Sequence, residues 1–284
     1  MSPDTKLIVD AIDSLRQSSS FIKSYIMPFA PALITSVIGF FIATYNFKSQ
    51  EKMRADALKI EKANKFLVQV ENAFQSLVAV KTYASAQLND HPVQRVLLAG
   101  DIDSYFSEIS GVDELVFLAN GIQVSEGQPY HATWNNISRI NTMVGNYYYL
   151  LLLIERRKLS KETFEKYVSI DDSGMTSIDN DALESVGRKP LKNAVRDNEN
   201  VLSILDGLIK EFNSFLQEFP RAVERSVDVK KVKHMTRVLQ FNNSNEHIQT
   251  ALTPCQAADI NAIAAIFHVS PERARKMFET GYID

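Results

Sequence analysis

The sequence predicts an all-α protein organised around one membrane-crossing helix. Three observations carry that prediction. Ser24 to Phe47 holds no charged residue, and Lys23 and Lys48 stand just outside it; a span needs about 18 or more mostly apolar residues without charge. Apolar residues recur at heptad spacing along residues 60–88 and again along 191–219. No stretch alternates convincingly in the way of a half-buried strand. The expected architecture is a single-pass transmembrane helix continuing into a long cytoplasmic helix, with a helical-bundle domain and a C-terminal pair of short helices. The expected divisions are an N-terminal amphipathic segment (1–23), the span (24–47), the bundle (48–241) and the terminal pair (242–284).

Bulk composition narrows the class. The chain has 284 residues, a formal charge of −3 and 45% hydrophobic residues. A near-neutral balance argues against a protein that coats nucleic acid. Cys255 is the single cysteine, so neither an internal disulfide nor a cysteine metal cluster is available.

The apolar run reads as a signal anchor, because no small-x-small cleavage site follows it. Tyr25 and Tyr45 sit near its ends, where interfacial aromatics belong, and the flanking lysines can reach the headgroups. Residues 1–23 carry three Lys/Arg, and residues 48–65 carry six. The richer flank stays inside, so the N-terminus is expected out and the C-terminal domain cytoplasmic, at a cell inner membrane. Thr35, Gly39 and Ala43 fall every fourth residue on one face of the span. Small residues at that spacing admit close helix approach, which predicts an oligomer face.

Before the span, Leu7, Ile8, Ala11, Ile12 and Leu15 give residues 4–17 an amphipathic helical pattern suited to the membrane interface or to a packed face. After it, no Gly or Pro occurs between Gly39 and Pro92. The helix is therefore expected to run to about Leu88. Ile60, Ala63, Leu67, Val70, Phe74, Leu77, Ala84 and Leu88 hold its a and d positions, and Lys81 interrupts an a position. Phe66 and Val78 widen the apolar face, which favours a bundle spine over a coiled coil.

The later elements follow from local signals. A helix is expected from Pro92 to Ser110, broken near Gly100, then another over 112–124, with a loop at 125–130. Thr133 to Lys158 reads as one long helix, whose apolar run 143–154 is too short to span. Tyr147, Tyr148 and Tyr149 in it read as packing residues with hydroxyls at the core edge. A separate helix is expected from Ser160 to 170, and 171–187 reads as a polar loop without the register of a calcium loop. The next helix begins at Pro190 and ends at Pro220. Its a positions are Leu191, Asn198, Leu205, Phe212 and Phe219, and its d positions Ala194, Val201, Leu208 and Phe215. A core Asn198 would fix register at a cost in stability. Arg221, Arg225, Lys230, Lys231, Lys233 and Arg237 form a locally basic stretch. It suits anionic lipid or nucleic acid, against the plainer reading of a solvated face.

The terminal pair is the most motif-like part. Thr253-Pro254-Cys255-Gln256 has the form of a capping box. Ile260, Ile263, Ala264 and Phe267 then make a helix face, and Ser270-Pro271 opens a second helix that stops at Gly281. The pair resembles a helix-turn-helix, with Ala264, Val269 and Met277 as its packed positions and His268 where glycine is usual. Arg273, Arg275 and Lys276 on the second helix are the candidates for DNA contact.

No catalytic constellation emerges. The phosphate-cradling glycine loops, HExxH and GxSxG are missing, and the histidines are scattered. Asp228-Val229-Lys230 matches a nuclease-like spacing but lacks the further acid and the sheet such a site needs. The expectation is a protein that is not an enzyme, without metal or cofactor, whose partners are membrane lipid and a second copy or another protein. The leading function is a membrane-anchored cytoplasmic interaction or regulatory protein. One alternative is an oligomeric membrane-perturbing effector of a bacterial stress or phage (antiviral) defence system. A second is a membrane-tethered DNA binder using the terminal pair, for which nucleic acid is not favoured.

Overall fold

The structure is a computed structural model, and it describes residues 6–7, 10, 13–14, 27, 29–86, 88–98, 106–121, 134–170 and 176–278. Most of the amphipathic pattern at 4–17, the start of the apolar run, the break near Gly100, the loop at 125–130 and the stop at Gly281 lie outside these residues. The chain is mostly helical, with 2% strand, as the periodicity requires. It divides into two compact units, Met1–Asp56 and Ala57–Asp284.

Helix α1 spans Ala30–Ser85 as one element, as the lack of any internal glycine beyond Gly39 predicts. In the first unit its apolar side chains are uncovered. Leu33, Ile34, Val37, Ile38, Phe40, Phe41, Ile42, Tyr45 and Phe47 are each more than half exposed. An 18-residue window has mean hydropathy 1.5 with none of it buried, long and apolar enough to cross a membrane. Two of its hydroxyls are satisfied internally: Thr35 Oγ1 donates to the Pro31 carbonyl at 2.7 Å and Ser36 Oγ to that of Ala32 at 2.8 Å. A helix in lipid needs that closure, because no water is there to bond them.

In the second unit the heptad residues of α1 turn inward. Ile60, Ala63, Leu67, Val70, Phe74 and Leu77 are fully buried, together with the widening residues Phe66 and Val78. Helices α2 (Pro92–Leu98), α3 (Ile137–Glu165), α4 (Asn180–Ser185) and α5 (Lys189–Ser226) follow, with a 3-10 helix at Val112–Gly121 before α3. Then come α6 (Val229–Val232), α7 (Glu246–Leu252), α8 (Ile260–Phe267) and α9 (Pro271–Phe278). α5 is the hub. It packs on α2, α3, α4, α7, α8, α9 and the 3-10 helix. Every a and d residue read from its sequence is buried. α1 runs antiparallel to it: the Phe66 ring lies 5.7 Å from Phe215 and 6.3 Å from Phe219, and Lys81 meets Asp206.

Several boundaries differ from the sequence reading. Of the helix expected over 92–110 and broken near Gly100, the first part is α2, while residues 106–110 are irregular and not helical. α3 starts at Ile137, where the Asn136 side chain accepts from the Ser138 and Arg139 amides. It runs through Ser160, whose hydroxyl bonds back to the Arg157 carbonyl at 3.0 Å instead of starting a new helix. Buried Lys161 and Phe164 carry it on to Glu165. The stretch read as a polar loop contains a strand. β1 (Val168–Ile170) pairs antiparallel with β2 (Thr176–Ile178) in the register Val168↔Ile178. Strands of three residues are too short to show a period of two. α4 follows at once, capped by Asp179. Residues 171–175 lie outside the described residues.

Pro220 does not end α5; it lies inside the helix and is buried. A proline deletes one backbone bond and crowds the preceding turn. The neighbouring Phe219 and Val223, both fully buried, hold the next turn against the core. Thr253 does not open a helix either. Residues 254–259 are irregular and α8 is capped by Asp259, whose side chain accepts from Asn261 N at 2.8 Å. The groups a helix would need are taken by tertiary bonds: Cys255 N donates to Asp206 Oδ2 at 2.8 Å, and Arg95 Nη1 donates to the Gln256 carbonyl at 2.7 Å.

The terminal pair packs into a buried cluster with α2, the end of α3 and the start of α5. Ile263, Ala264 and Ile266 of α8 and Ala274 of α9 cluster with Val93, Val96, Phe164, Leu191, Ala194 and Val195. His268 adopts the left-handed conformation (φ 55°, ψ 48°), and its amide closes on the α8 carbonyls. That is the backbone shape for which glycine is usual. Of the three packed positions read from the sequence, Ala264 is buried and Val269 packs against this cluster, while Met277 is 39% exposed. Ala274 and Phe278 supply that contact instead.

Candidate functional site

Where α1, α2 and α5 meet the segment 253–260, the core turns polar. Lys81 on α1 is 3% exposed. Its ammonium contacts Asp206 Oδ1 at 2.6 Å and donates to the carbonyls of Ala251 at 2.6 Å and Thr253 at 2.5 Å. All three donors of the ammonium thus have a partner. One and two helical turns before Asp206 on α5 lie Ser203 and Glu199. Glu199 takes both ends of the Arg95 guanidinium, at 2.8 Å from Nε and 2.9 Å from Nη2. Arg95 Nη1 also donates to the carbonyls of Asn89 and Gln256. Planar two-point pairing of this kind is the strong form of an ion pair.

The network continues along α5. Asn198, fully buried, accepts from Arg157 Nε at 2.9 Å and donates to Glu199 Oε1 at 3.0 Å. Asp197 pairs with Arg156. Asn198 is therefore a bridge inside one chain, and its role at a heptad position is to orient charges on α3 and α5.

A cleft of about 300 Å³ opens above these groups, lined by Arg95, Glu199, Asp206, Cys255, Arg275 and Phe278 among others. The Cys255 thiol donates to Asp206 Oδ1 at 3.3 Å. Burial first, then the adjacent Asp206 charge and this bond, push the thiol pKa up to about 12, against the opposing pull of Lys81 and Arg95. It stays protonated at neutral pH, the opposite of what a nucleophilic cysteine needs. The chemistry of the arrangement is clamping: cations from α1 and α2 and carboxylates from α5 hold the backbone of 251–256 against the hub.

The residues singled out in the sequence fall in separate places. Thr35, Gly39 and Ala43 are exposed, and a Cβ at Gly39 would meet nothing within 4 Å. Arg221, Arg225, Lys230, Lys231, Lys233 and Arg237 are all exposed, with Lys231 paired to Asp228 at 3.2 Å. On α9, Arg275 lines the cleft and Lys276 lies 3.7 Å from Glu272, while Arg273 is exposed. Among the described residues, no group of three or more His, Cys, Asp or Glu could hold a metal ion. Tyr147 and Tyr148 donate to the carbonyls of Ser107 and Ile109. Sequence reasoning missed Arg95, Glu199 and Asp206. The available signal was Lys81 at a heptad a position, which demands a buried partner.

Comparisons with protein-family models, with curated proteins and with solved structures find no match to this chain.

Proposed function

We propose that this chain is a membrane-anchored helical interaction or regulatory protein, without enzymatic activity. It is held by α1 as a single pass, with the N-terminus out and the domain from Ala57 on in the cytoplasm. The observation that carries the reading is the apolar window of α1, which is charge-free and has none of its residues buried. Leaving so much apolar surface in water is costly, at about 25 cal/mol per Å². A bilayer removes that cost along the whole circumference of the helix. The excess of lysine and arginine after the window supports the orientation. The polar network is donor–acceptor matched and its thiol is protonated, which suits a structural clamp. The test is fractionation of the native chain: it should stay with membranes through an alkaline carbonate wash. Release into the soluble fraction would refute the anchor.

The second reading is a membrane-perturbing oligomeric effector, as in bacterial stress or phage defence. The open face at Thr35, Gly39 and Ala43 supports it, because a second helix could approach there without displacing any side chain. Gly39→Leu should then convert an oligomer in detergent to monomer and abolish any depolarisation on overexpression. Tethered DNA binding has less support: Arg275 belongs to the cleft wall and Lys276 has an acidic neighbour on its own helix.

A further inference from the structure

The end of the domain at which the chain arrives from the apolar window is built as a cationic, partly apolar surface. Because α1 and α5 are antiparallel, with Phe66 beside Phe215 and Phe219 and Lys81 beside Asp206, the C-terminal end of α5 lies next to the start of the domain's portion of α1. Arg221 and Arg225 sit on that end. α6 and the irregular segment after it fold back onto the same end. Asn64 of α1 donates to the Arg237 carbonyl at 2.8 Å and accepts from Leu239 N at 2.9 Å. Gln240 reaches Glu224 at 3.0 Å.

The side chains of this segment divide in two directions. Val232 and Val238 are buried and anchor it to the core. Met235, 56% exposed, and Leu239, 40% exposed, point outward among Lys230, Lys231, Lys233 and Arg237. Residues 221–241 hold six cations against two acids in a chain whose formal charge is −3. Exposed apolar side chains interleaved with cations are the composition of an interfacial membrane contact, where apolar groups enter the acyl boundary and lysines meet phosphate. The domain starts at Ala57, ten residues after Phe47. A connection of ten residues can be as long as about 35 Å, so chain length permits this surface to reach the bilayer.

We propose that residues 229–240 are a second membrane contact, with Met235 and Leu239 seated at the acyl–headgroup boundary and Lys230, Lys231, Lys233 and Arg237 on the phosphates of anionic phospholipid. The proposal rests on the anchored reading above and adds a lipid specificity to it.

The full chain carrying Met235→Cys and Cys255→Ser, reconstituted in lipid nanodiscs, tests it through the rate of modification by an uncharged, polymer-linked maleimide. In discs with roughly a third phosphatidylserine the rate should be at least ~10-fold slower than in phosphatidylcholine discs. High salt should restore the fast rate, as should K230Q/K231Q/K233Q, whose exposed positions leave the fold intact. Equal rates in both lipids, with the chain retained in the discs, would overturn the lipid contact and leave the anchor standing. A chain recovered free of the discs would overturn both. Slowing by duplex DNA in phosphatidylcholine discs, with no response to phosphatidylserine, would overturn the lipid contact in favour of nucleic acid.

Discussion

Replacing Lys81 by methionine isolates the worth of the clamp, because the two side chains have similar length and only the ammonium is lost. Three contacts disappear: the ion pair with Asp206 and the bonds to the Ala251 and Thr253 carbonyls. Removing one partner of a buried pair generally costs about 3–5 kcal/mol, mostly from the group left behind. Here Asp206 keeps the Cys255 amide and thiol, which places Lys81→Met near the lower end, at about 3 kcal/mol. Asp206→Asn should cost less, about 2 kcal/mol, because Lys81 retains both carbonyls. The double variant should then cost less than the two singles together, with a coupling of about 1.5 kcal/mol. The single tryptophan supplies the assay. Trp134 is buried, bonds Ser214 Oγ at 3.0 Å and lies 5.0 Å from the Phe215 ring, so its fluorescence follows unfolding of the core on urea titration of the detergent-solubilised chain. A cost below about 1 kcal/mol for Lys81→Met, or strict additivity in the double variant, would refute the clamp.

Four further outcomes follow from the same network and its neighbours. At pH 8 the native Cys255 thiol should react with iodoacetamide on the order of a thousand-fold more slowly than in the urea-unfolded chain; a native rate equal to the unfolded one would contradict the protonated, bonded thiol. Its raised pKa also sets a sign. Above the ordinary thiol pKa the unfolded state loses its proton first, so this group's contribution to stability falls as pH rises towards about 12. That part of the slope should vanish in Cys255→Ser, measured as the difference between the two unfolding curves across pH. Asn198→Leu, which simple heptad logic would make stabilising, should instead cost about 2–3 kcal/mol by stripping partners from Arg157 and Glu199; a gain in urea midpoint would count against the bridge. His268→Gly should stabilise by about 0.5–1 kcal/mol, since a left-handed residue with a Cβ is strained; a lowered midpoint would mean the imidazole makes a compensating contact.

The sequence made the helices legible wherever one face is continuously buried. Leu191 through Phe219 on α5 and Ile60 through Leu77 on α1 could be read by spacing alone, because burying a wide stripe leaves a periodic trace. Local punctuation was less dependable. Pro220, Ser160 and Thr253 each carry a boundary signal, and each is overridden by tertiary contacts that fix the backbone otherwise. The candidate site was almost wholly hidden. Arg95 and Glu199 are 104 residues apart in sequence, and Lys81 and Thr253 are 172 apart. Nothing local in either partner announces the other. Only the charge at a heptad a position and the amide at another indicated that polar groups would be enclosed. The described part of the apolar window, by contrast, was legible in the sequence, because its signal is composition and needs no partner.

The contrast between the two kinds of buried contact bears on how the domain can move. Apolar faces such as those of Phe66, Phe215 and Phe219 are non-directional, and core packing tolerates modest repacking at small cost. The ammonium of Lys81 has no such latitude. Sliding α1 by one helical turn, about 5.4 Å, would break all three of its contacts at once. Returning that charge to a place without partners would cost several kcal/mol. The register of α1 on α5 is therefore set by Lys81 and Asp206, while the aromatic contacts supply adhesion. The same carboxylate holds Cys255 N, and the neighbouring Arg95 holds the Gln256 carbonyl. The position of α1 and the path of the segment leading to α8 and α9 are thus tied through one side chain. Any partner that shifts α1 within the domain must also disturb the cleft that Arg275 and Phe278 line. That makes exchange of the 253–260 amides the most direct readout of such a shift.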